Sequence, residues 1–225
     1  MPVNNPFLAD QLPDPLPDDP FPWLEGWLAH ATENQTRRNP NAMTLGTVAP
    51  GGGPSGRVVL AKMINTEMGY VVFFTNYRSS KSRDIEANPA VSLVFHWDSF
   101  GRQARIEGTA VRSPASESDA YFASRDRGSQ IGAWGSDQSQ PLESRDALIQ
   151  QLQDRANELG VADDDSKAVP RPPHWGGFRV WASAVELWVD GTNRVHDRAR
   201  FERSLEPDGD GGFKPTPWTR SRLQP

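Results

Sequence analysis

Five short β-rich runs follow one another between residues 42 and 111, and they constrain the fold of this chain more than any other feature. They read AMTLGTVA (42–49), RVVLAKMI (57–64), YVVFFTNY (70–77), AVSLVFHW (90–97) and RQARIEGTAV (102–111). β-Branched and aromatic residues suit a pleated, half-buried surface, and Gly, Pro and Asn break the runs, as in PGGGPSG (50–56). Successive strands on short links pair antiparallel, and such a meander closes most easily as a barrel.

Helical patterns flank this block. Pro20 can open a helix on which Trp23, Leu24, Trp27, Leu28 and Ala31 share one apolar face. Ser113-Pro114 reads as an N-cap followed by proline at the first helical position. Residues 143–159 carry Ala147, Leu148, Leu152, Ala156 and Leu159 on one face, with Gly160 as the stop. A polar, Pro-rich excursion (161–174) precedes a return to β structure in FRVWAS, AVELWVDG, RVHDRARFER and GFKPTPW. Residues 1–19 read as a flexible, irregular Pro-rich arm, and 20–225 as a single α+β domain, mainly β.

Composition removes several function classes. The 24 Lys+Arg against 29 Asp+Glu leave a net charge of −5, unlike a chain built to wrap nucleic acid. Without cysteine there are no disulfides, thiolate metal sites or cysteine nucleophiles. No apolar stretch approaches the ~20 residues of a membrane span. Residues 1–22 hold no Lys or Arg and seven Pro, unlike a secretory signal. The expectation is a cytoplasmic protein with neither nucleic acid nor membrane as partner.

Gly51 to Gly56 satisfy the letters G-x-G-x-x-G, but a dinucleotide fingerprint needs a helix next, and RVVLAKM favours a strand. His30, His96, His174 and His196 are scattered without ligand spacing, so no metal site is expected. Arg57, Lys62 and Lys81 in or beside apolar strands suggest a concave site for an anion in a net-acidic protein. If helical, Tyr121, Arg125 and Ser129 place a phenol, a guanidinium and a hydroxyl on one face. In a strand, Arg194, His196 and Arg198 would share one face, as a cationic wall over an anion or an electron-rich ring.

In order along the chain, RVVLAK (57–62), FFTN with SSK (73–76, 79–81), IEANPAVSLVFHW (85–97), RQARIEG (102–108), YFASRDRGSQIGAW (121–134), DQSQ (137–140), HWGGFRV (174–180), ELW (186–188), RVHDR (194–198) and RLQP (222–225) resemble the pyridoxine/pyridoxamine 5′-phosphate oxidase family. The resemblance covers about residues 23–225, with RGSQIGAW and R-x-H-D-R its most specific parts. It implies an antiparallel split β-barrel of the FMN-binding type with flanking helices, and a homodimer with shared active sites.

The resemblance also implies roles. Arg57 and Lys81 would face the FMN phosphate, with Ser80 in the same stretch. Val58, Val59, Leu60, Ala61, Lys62, Phe74, Thr75 and Gln103 would line the flavin from one chain. Gln138, Ser139, Trp188 and Arg198 would approach it from the other. Lys62, Tyr121, Arg125 and Ser129 would hold the substrate phosphate. Arg194, Val195 and His196 would cover the substrate ring, with Arg194 and His196 as the catalytic pair. The implied reaction is oxidation of pyridoxamine or pyridoxine 5′-phosphate to pyridoxal 5′-phosphate, with O₂ reduced to H₂O₂. The alternatives are a same-fold, phenazine-type flavin oxidase and, from a different class, a non-catalytic flavin- or pyridoxal-phosphate-binding protein. Two positions depart from the family pattern: Ser80 stands where an Arg is common, and Asn39 where an acidic residue often precedes Pro-x-Ala-Met.

Overall fold

A computed structural model describes residues 6–162, 164 and 166–225. The first five residues of the arm, and Asp163 and Asp165 of the 161–174 excursion, lie outside the described residues.

The β-rich block forms an antiparallel sheet. Its strands are β1 (Ala42–Val48), β2 (Pro54–Leu60), β3 (Met63–Asn65), β4 (Tyr70–Asn76), β5 (Ala90–Trp97) and β6 (Arg102–Arg112). The long strand β7 (Trp175–Val189) and then β8 (Asp197–Glu202) and β11 (Thr219–Leu223) complete it, while β9 (Leu205–Pro207) and β10 (Phe213–Pro215) pair separately. One path through the sheet runs β11-β8-β7-β6-β5-β1-β2. Strand β7 pairs with β6 along its length, with β4 through Trp175–Trp181 and with β8 through Ala184–Val189. Two strands therefore share one edge of β7 in succession, which curls the sheet into a partly opened barrel.

Alternation puts Met43, Leu45, Val91, Leu93, Phe95 and Trp97 into the core, each nearly inaccessible. The β6–β7 register shifts between Glu107 and Gly108. A Cβ on Gly108 would lie 1.9 Å from the Trp181 carbonyl oxygen, so this close approach requires glycine. The run RVVLAKMI breaks at Ala61-Lys62 because the backbone turns to new partners: Ala61 N–H donates to Asn41 and Lys62 N–H to Val72.

Helix α1 (Phe21–Glu33) closes one end of the barrel with Phe21, Trp23, Leu24, Trp27 and Ala31 buried. Its Trp27 indole donates to the Phe7 carbonyl at 2.7 Å, so the buried N–H has a partner. The arm lies against the sheet: Leu12 is buried, its N–H donates to Asp197 at 2.8 Å, and Arg102 donates to the Ala9 carbonyl at 2.8 Å.

Four further helices flank the sheet. Helix α2 (Ser80–Ala87) occupies the link between β4 and β5, where the sequence pattern gives no helix signal. Helices α3 (Ala115–Ala123), α4 (Arg127–Gly135) and α5 (Arg145–Glu158) follow β6. The N-cap of α3 is Pro114 rather than Ser113, and Ser113 Oγ has no partner among the described residues. Ser144 caps α5 by accepting from Ala147 N–H, and Gly160 with φ of +61° takes the turn beyond its end. Phe122, Ala133, Ala156, Val161, Val169 and Trp175 form a smaller core between these helices and the start of β7.

Candidate active site

A cavity of about 770 Å³ lies between strands β2 and β4 and helices α3 and α4. Val58, Val59, Leu60, Lys62, Phe74, Thr75, Lys81, Tyr121, Arg125, Ser129 and Gln138, all expected from the sequence, line it. Asn76, Ser124, Asp126, Gly132, Ala133, Ser136 and Trp175 line it as well and were not foreseen.

Three parallel rings make one wall: Phe74 stacks on Tyr121 at 4.0 Å and on Trp175 at 5.5 Å. Lys62 Nζ lies 5.8 Å from the Tyr121 ring centre, and the Arg125 guanidinium 4.6 Å from that of Trp175. Buried Arg125 Nη1 has no hydrogen-bond partner among the described residues, and burial holds this guanidinium below its usual pKa.

Tyr121, Arg125 and Ser129 reach the cavity, but not along one helical face. Helix α3 ends at Ala123, and Asp126 restarts the chain as the cap of α4, accepting from Ser129 N–H at 2.8 Å. An aspartate cap outcompetes helix continuation because it satisfies an otherwise orphaned donor.

At the other end, Lys81 Nζ donates to Gln138 Oε1 (3.0 Å), Ser79 Oγ (3.1 Å) and Thr75 Oγ1 (3.2 Å). Burial, and secondarily the charge of Arg57, lower its pKa to about 8. Arg57 lies beside the cavity, donating to Thr47 Oγ1 at 2.6 Å and pairing with Asp84 at 3.5 Å. Ser80 accepts from Arg83 at 3.2 Å. Ala61 points into the main core instead of the cavity.

A second group sits on strands β6, β7 and β8. Register places Gln103 opposite Trp188, and Trp188 opposite Arg198, on one face. Arg198 donates to Glu186 at 2.8 Å and to the Gln224 carbonyl at 2.8 Å. The His196 ring lies 4.6 Å from that of Trp188, and its Nδ1 is 3.1 Å from both Gly191 N and Asp190 Oδ1.

Arg194, Val195 and His196 are not in a strand, so the shared strand face expected for Arg194, His196 and Arg198 does not form. A 3₁₀ turn spans Thr192–Arg194, Asn193 and Arg194 have φ of +58° and +64°, and β8 begins at Asp197. Val195 is 70% exposed at this corner.

Gln138 meets Thr75 and Lys81 within its own chain, while Gln103 sits with Trp188 and Arg198. Ser139, with φ of +74°, follows Gln138 on the surface and is not among the cavity-lining residues.

Residues 30–156 match the family described as "Pyridoxamine 5′-phosphate oxidase", and residues 175–225 match "Pyridoxine 5′-phosphate oxidase C-terminal dimerisation region". A pyridoxine/pyridoxamine 5′-phosphate oxidase of Rubrobacter xylanophilus is 45% identical over 218 residues, covering 97% of this chain and 91% of the relative. Its counterpart in Paraburkholderia xenovorans is 46% identical over 207 residues, covering 92% and 89%. Among solved structures, PhzG of Burkholderia lata 383, in complex with tetrahydrophenazine-1-carboxylic acid, matches with a TM-score of 0.78 at 30% identity, covering 94% of this chain and 95% of that one. A pyridoxamine 5′-phosphate oxidase-related, FMN binding protein of Nostoc punctiforme shares the fold, with a TM-score of 0.65 at 15% identity and coverage of 91% and 98%. A split barrel carrying RVVLAK, RGSQIGAW and RVHDR, matched along nearly its whole length, places this chain in the pyridoxine/pyridoxamine 5′-phosphate oxidase family.

Proposed function

We propose that this chain binds FMN and oxidises pyridoxamine and pyridoxine 5′-phosphate to pyridoxal 5′-phosphate, as a cytoplasmic homodimer. One observation carries the reading. Among the described residues the cavity holds three cations without carboxylate partners, Lys81 at one end and Lys62 and Arg125 beside an apolar and aromatic wall. Each is suited to an anion, and a cofactor phosphate and a substrate phosphate on two flat rings meet that need. The donor set fits FMN: Lys81, Thr75 and nearby Arg57 for its phosphate, and the backbone of Val58–Leu60 beside its ring. Lys62, Arg125, Tyr121 and Ser129 supply charges and hydroxyls for the substrate phosphate.

When bound, FMN supplies the two-electron acceptor for a hydride leaving C4′ of the substrate, with O₂ carrying the electrons on to H₂O₂. The chain's residues bind and orient. Arg125, locked over Trp175, fixes one end of the substrate so that its ring lies along the cavity wall. Arg194 and His196 cover the ring from the exposed corner after Val189. None of the three residues 194–196 is among the cavity-lining residues of the same chain, which supports a corner contributed by a second copy. The matched C-terminal dimerisation region, which contains the corner, supports this arrangement.

The likeness to PhzG keeps a phenazine-type substrate as the competing reading. The purified protein should show flavin absorbance and form peroxide with pyridoxamine 5′-phosphate. Bound flavin without turnover of this substrate would overturn the assignment, and turnover of a dihydrophenazine carboxylate alone would replace it. Sedimentation of an active monomer would remove the shared site.

A further inference from the structure

We propose that Asp190 is a positioning residue for His196: it holds the imidazole proton on Nδ1 and so presents Nε2 as an acceptor at the exposed corner. This rests on the reading above, in which His196 covers the substrate ring.

Strand β7 ends at Val189, and the chain closes back on itself through Arg194 N–H to the Gly191 carbonyl and Val195 N–H to that of Thr192. Glycine at 191 permits the closure, since a Cβ there would lie 1.9 Å from the Val195 carbonyl oxygen. Asp190 is tied from the other side, where its N–H donates to the Gly101 carbonyl at 2.9 Å. The folded corner brings Asp190 Oδ1 to 3.1 Å from His196 Nδ1, and the imidazole leans on Trp188 with its side chain 21% exposed. Among the described residues its Nε2 has no hydrogen-bond partner.

Gly191 N–H decides the tautomer. It lies 3.1 Å from His196 Nδ1 and 3.0 Å from Asp190 Oδ1, so it can donate to either. The carboxylate is the stronger acceptor because it is charged. With this N–H given to Asp190, Nδ1 keeps its own proton and donates it to the same carboxylate. A neutral imidazole then has its free lone pair at Nε2, where a hydroxyl or amine of the substrate can donate to it. Arg102, within electrostatic reach of Asp190, does not compete for the carboxylate: it donates to the carbonyls of Ala9, Phe100 and Gly101.

The test reads turnover and tautomer in the FMN-loaded protein. Asp190→Ala should lower kcat/KM for pyridoxamine 5′-phosphate about fivefold, the upper worth of an exposed charge pair, with flavin retention unchanged. In a His196→Ala background the same change should cost nothing further, because Asp190 acts only through the imidazole. At about pH 8, above the ordinary imidazole value, nitrogen NMR of the histidine-labelled protein reads the tautomer directly. The His196 signals, identified by their loss in His196→Ala, should show the proton on Nδ1 in the wild type and on Nε2 in Asp190→Ala. Unchanged kcat/KM in Asp190→Ala beside an impaired His196→Ala overturns the inference alone. So does an equal loss in both backgrounds, which marks a structural role, or a wild-type ring already protonated on Nε2. Normal turnover in His196→Ala overturns the corner's place over the substrate, and the inference with it.

Discussion

Inside the cavity, Lys81 donates to neutral oxygens alone and Arg125 keeps a buried nitrogen without a partner. Across β6, β7 and β8, by contrast, Arg105, Arg198 and Arg200 each grip a carboxylate. Glu186 takes Arg105 at 2.7 Å and Arg198 at 2.8 Å, and Glu107 takes Arg200 at 2.9 Å. Both regions are rich in arginine and lysine on β-rich segments, so the sequence alone does not separate them. The difference lies in the counter-charge. A cation whose partner is built into the fold holds strands in register, whereas a half-buried cation with no partner is suited to a ligand, and Arg57, paired with Asp84 beside the cavity, stands between the two. Arg198 belongs to the first kind within its own chain, although the family resemblance assigns it to the cofactor.

The largest expected effect comes from removing the cavity's orphan. Arg125→Ala should raise KM for pyridoxamine 5′-phosphate about a hundredfold, since a buried guanidinium makes more than one charged hydrogen bond to a phosphate. FMN affinity should stay within about twofold, because the cofactor phosphate uses the other end. Parallel losses of substrate and FMN binding would merge the two ends into one site.

Next comes the paired face. Glu186→Ala leaves Arg105 and Arg198 facing each other without their carboxylate. Their side chains are 40% and 27% exposed, so water screens part of the cost. A loss of about 2 kcal/mol in denaturant unfolding is expected, below the range for a fully buried pair. If FMN affinity falls while stability does not, Arg198 moves to the ligand-bound group and the contrast fails.

The exposed corner gives a smaller effect. Arg194→Ala or His196→Ala should lower kcat/KM about tenfold while the protein keeps its flavin. Mixed dimers sharpen this. Arg125→Ala and His196→Ala chains together rebuild one intact site, provided each site draws its cavity from one copy and its corner from the other. Activity that does not recover on mixing would place both residues in the same copy's site.

Much of the barrel was legible because alternation at Met43, Leu45, Leu93 and Phe95 is a local signal. What was missed depends on contacts distant in sequence or on single backbone angles. The break of RVVLAKMI at Ala61 reflects Asn41 and Val72 competing for successive N–H groups. Asp126 splits a periodic Tyr-Arg-Ser pattern by capping, and the positive φ at Asn193 and Arg194 keeps residues 194–196 out of the strand that alternation favours. The cavity's cations were legible by type. Their lack of counter-charge was not, because it is a property of three-dimensional neighbourhoods. Trp175 was hidden likewise, since its place beside Phe74 and Arg125 depends on a strand far along the chain.

The smallest expected effect tests the contrast without changing a residue. Lys81 in the ligand-free protein has a pKa of about 8, lowered first by burial and then by Arg57. A bound phosphate favours the charged form, so binding takes up a proton wherever free Lys81 is neutral. FMN affinity should therefore be steady from about pH 7 to 8 and fall above that, by at most about tenfold per pH unit. Riboflavin affinity should stay flat. Stability of the ligand-free protein should move the opposite way. Between about 8 and the ordinary 10.5 the unfolded chain holds the Lys81 proton and the folded one does not, so stability rises with pH across that window. Lys81→Arg keeps its charge throughout and should abolish the fall in FMN affinity. Titrations of both flavins from pH 7 to 10, in both proteins, read this directly. An FMN profile as flat as that of riboflavin would mean that Lys81 already has its counter-charge in the fold, and it would then belong with Arg105 and Arg198.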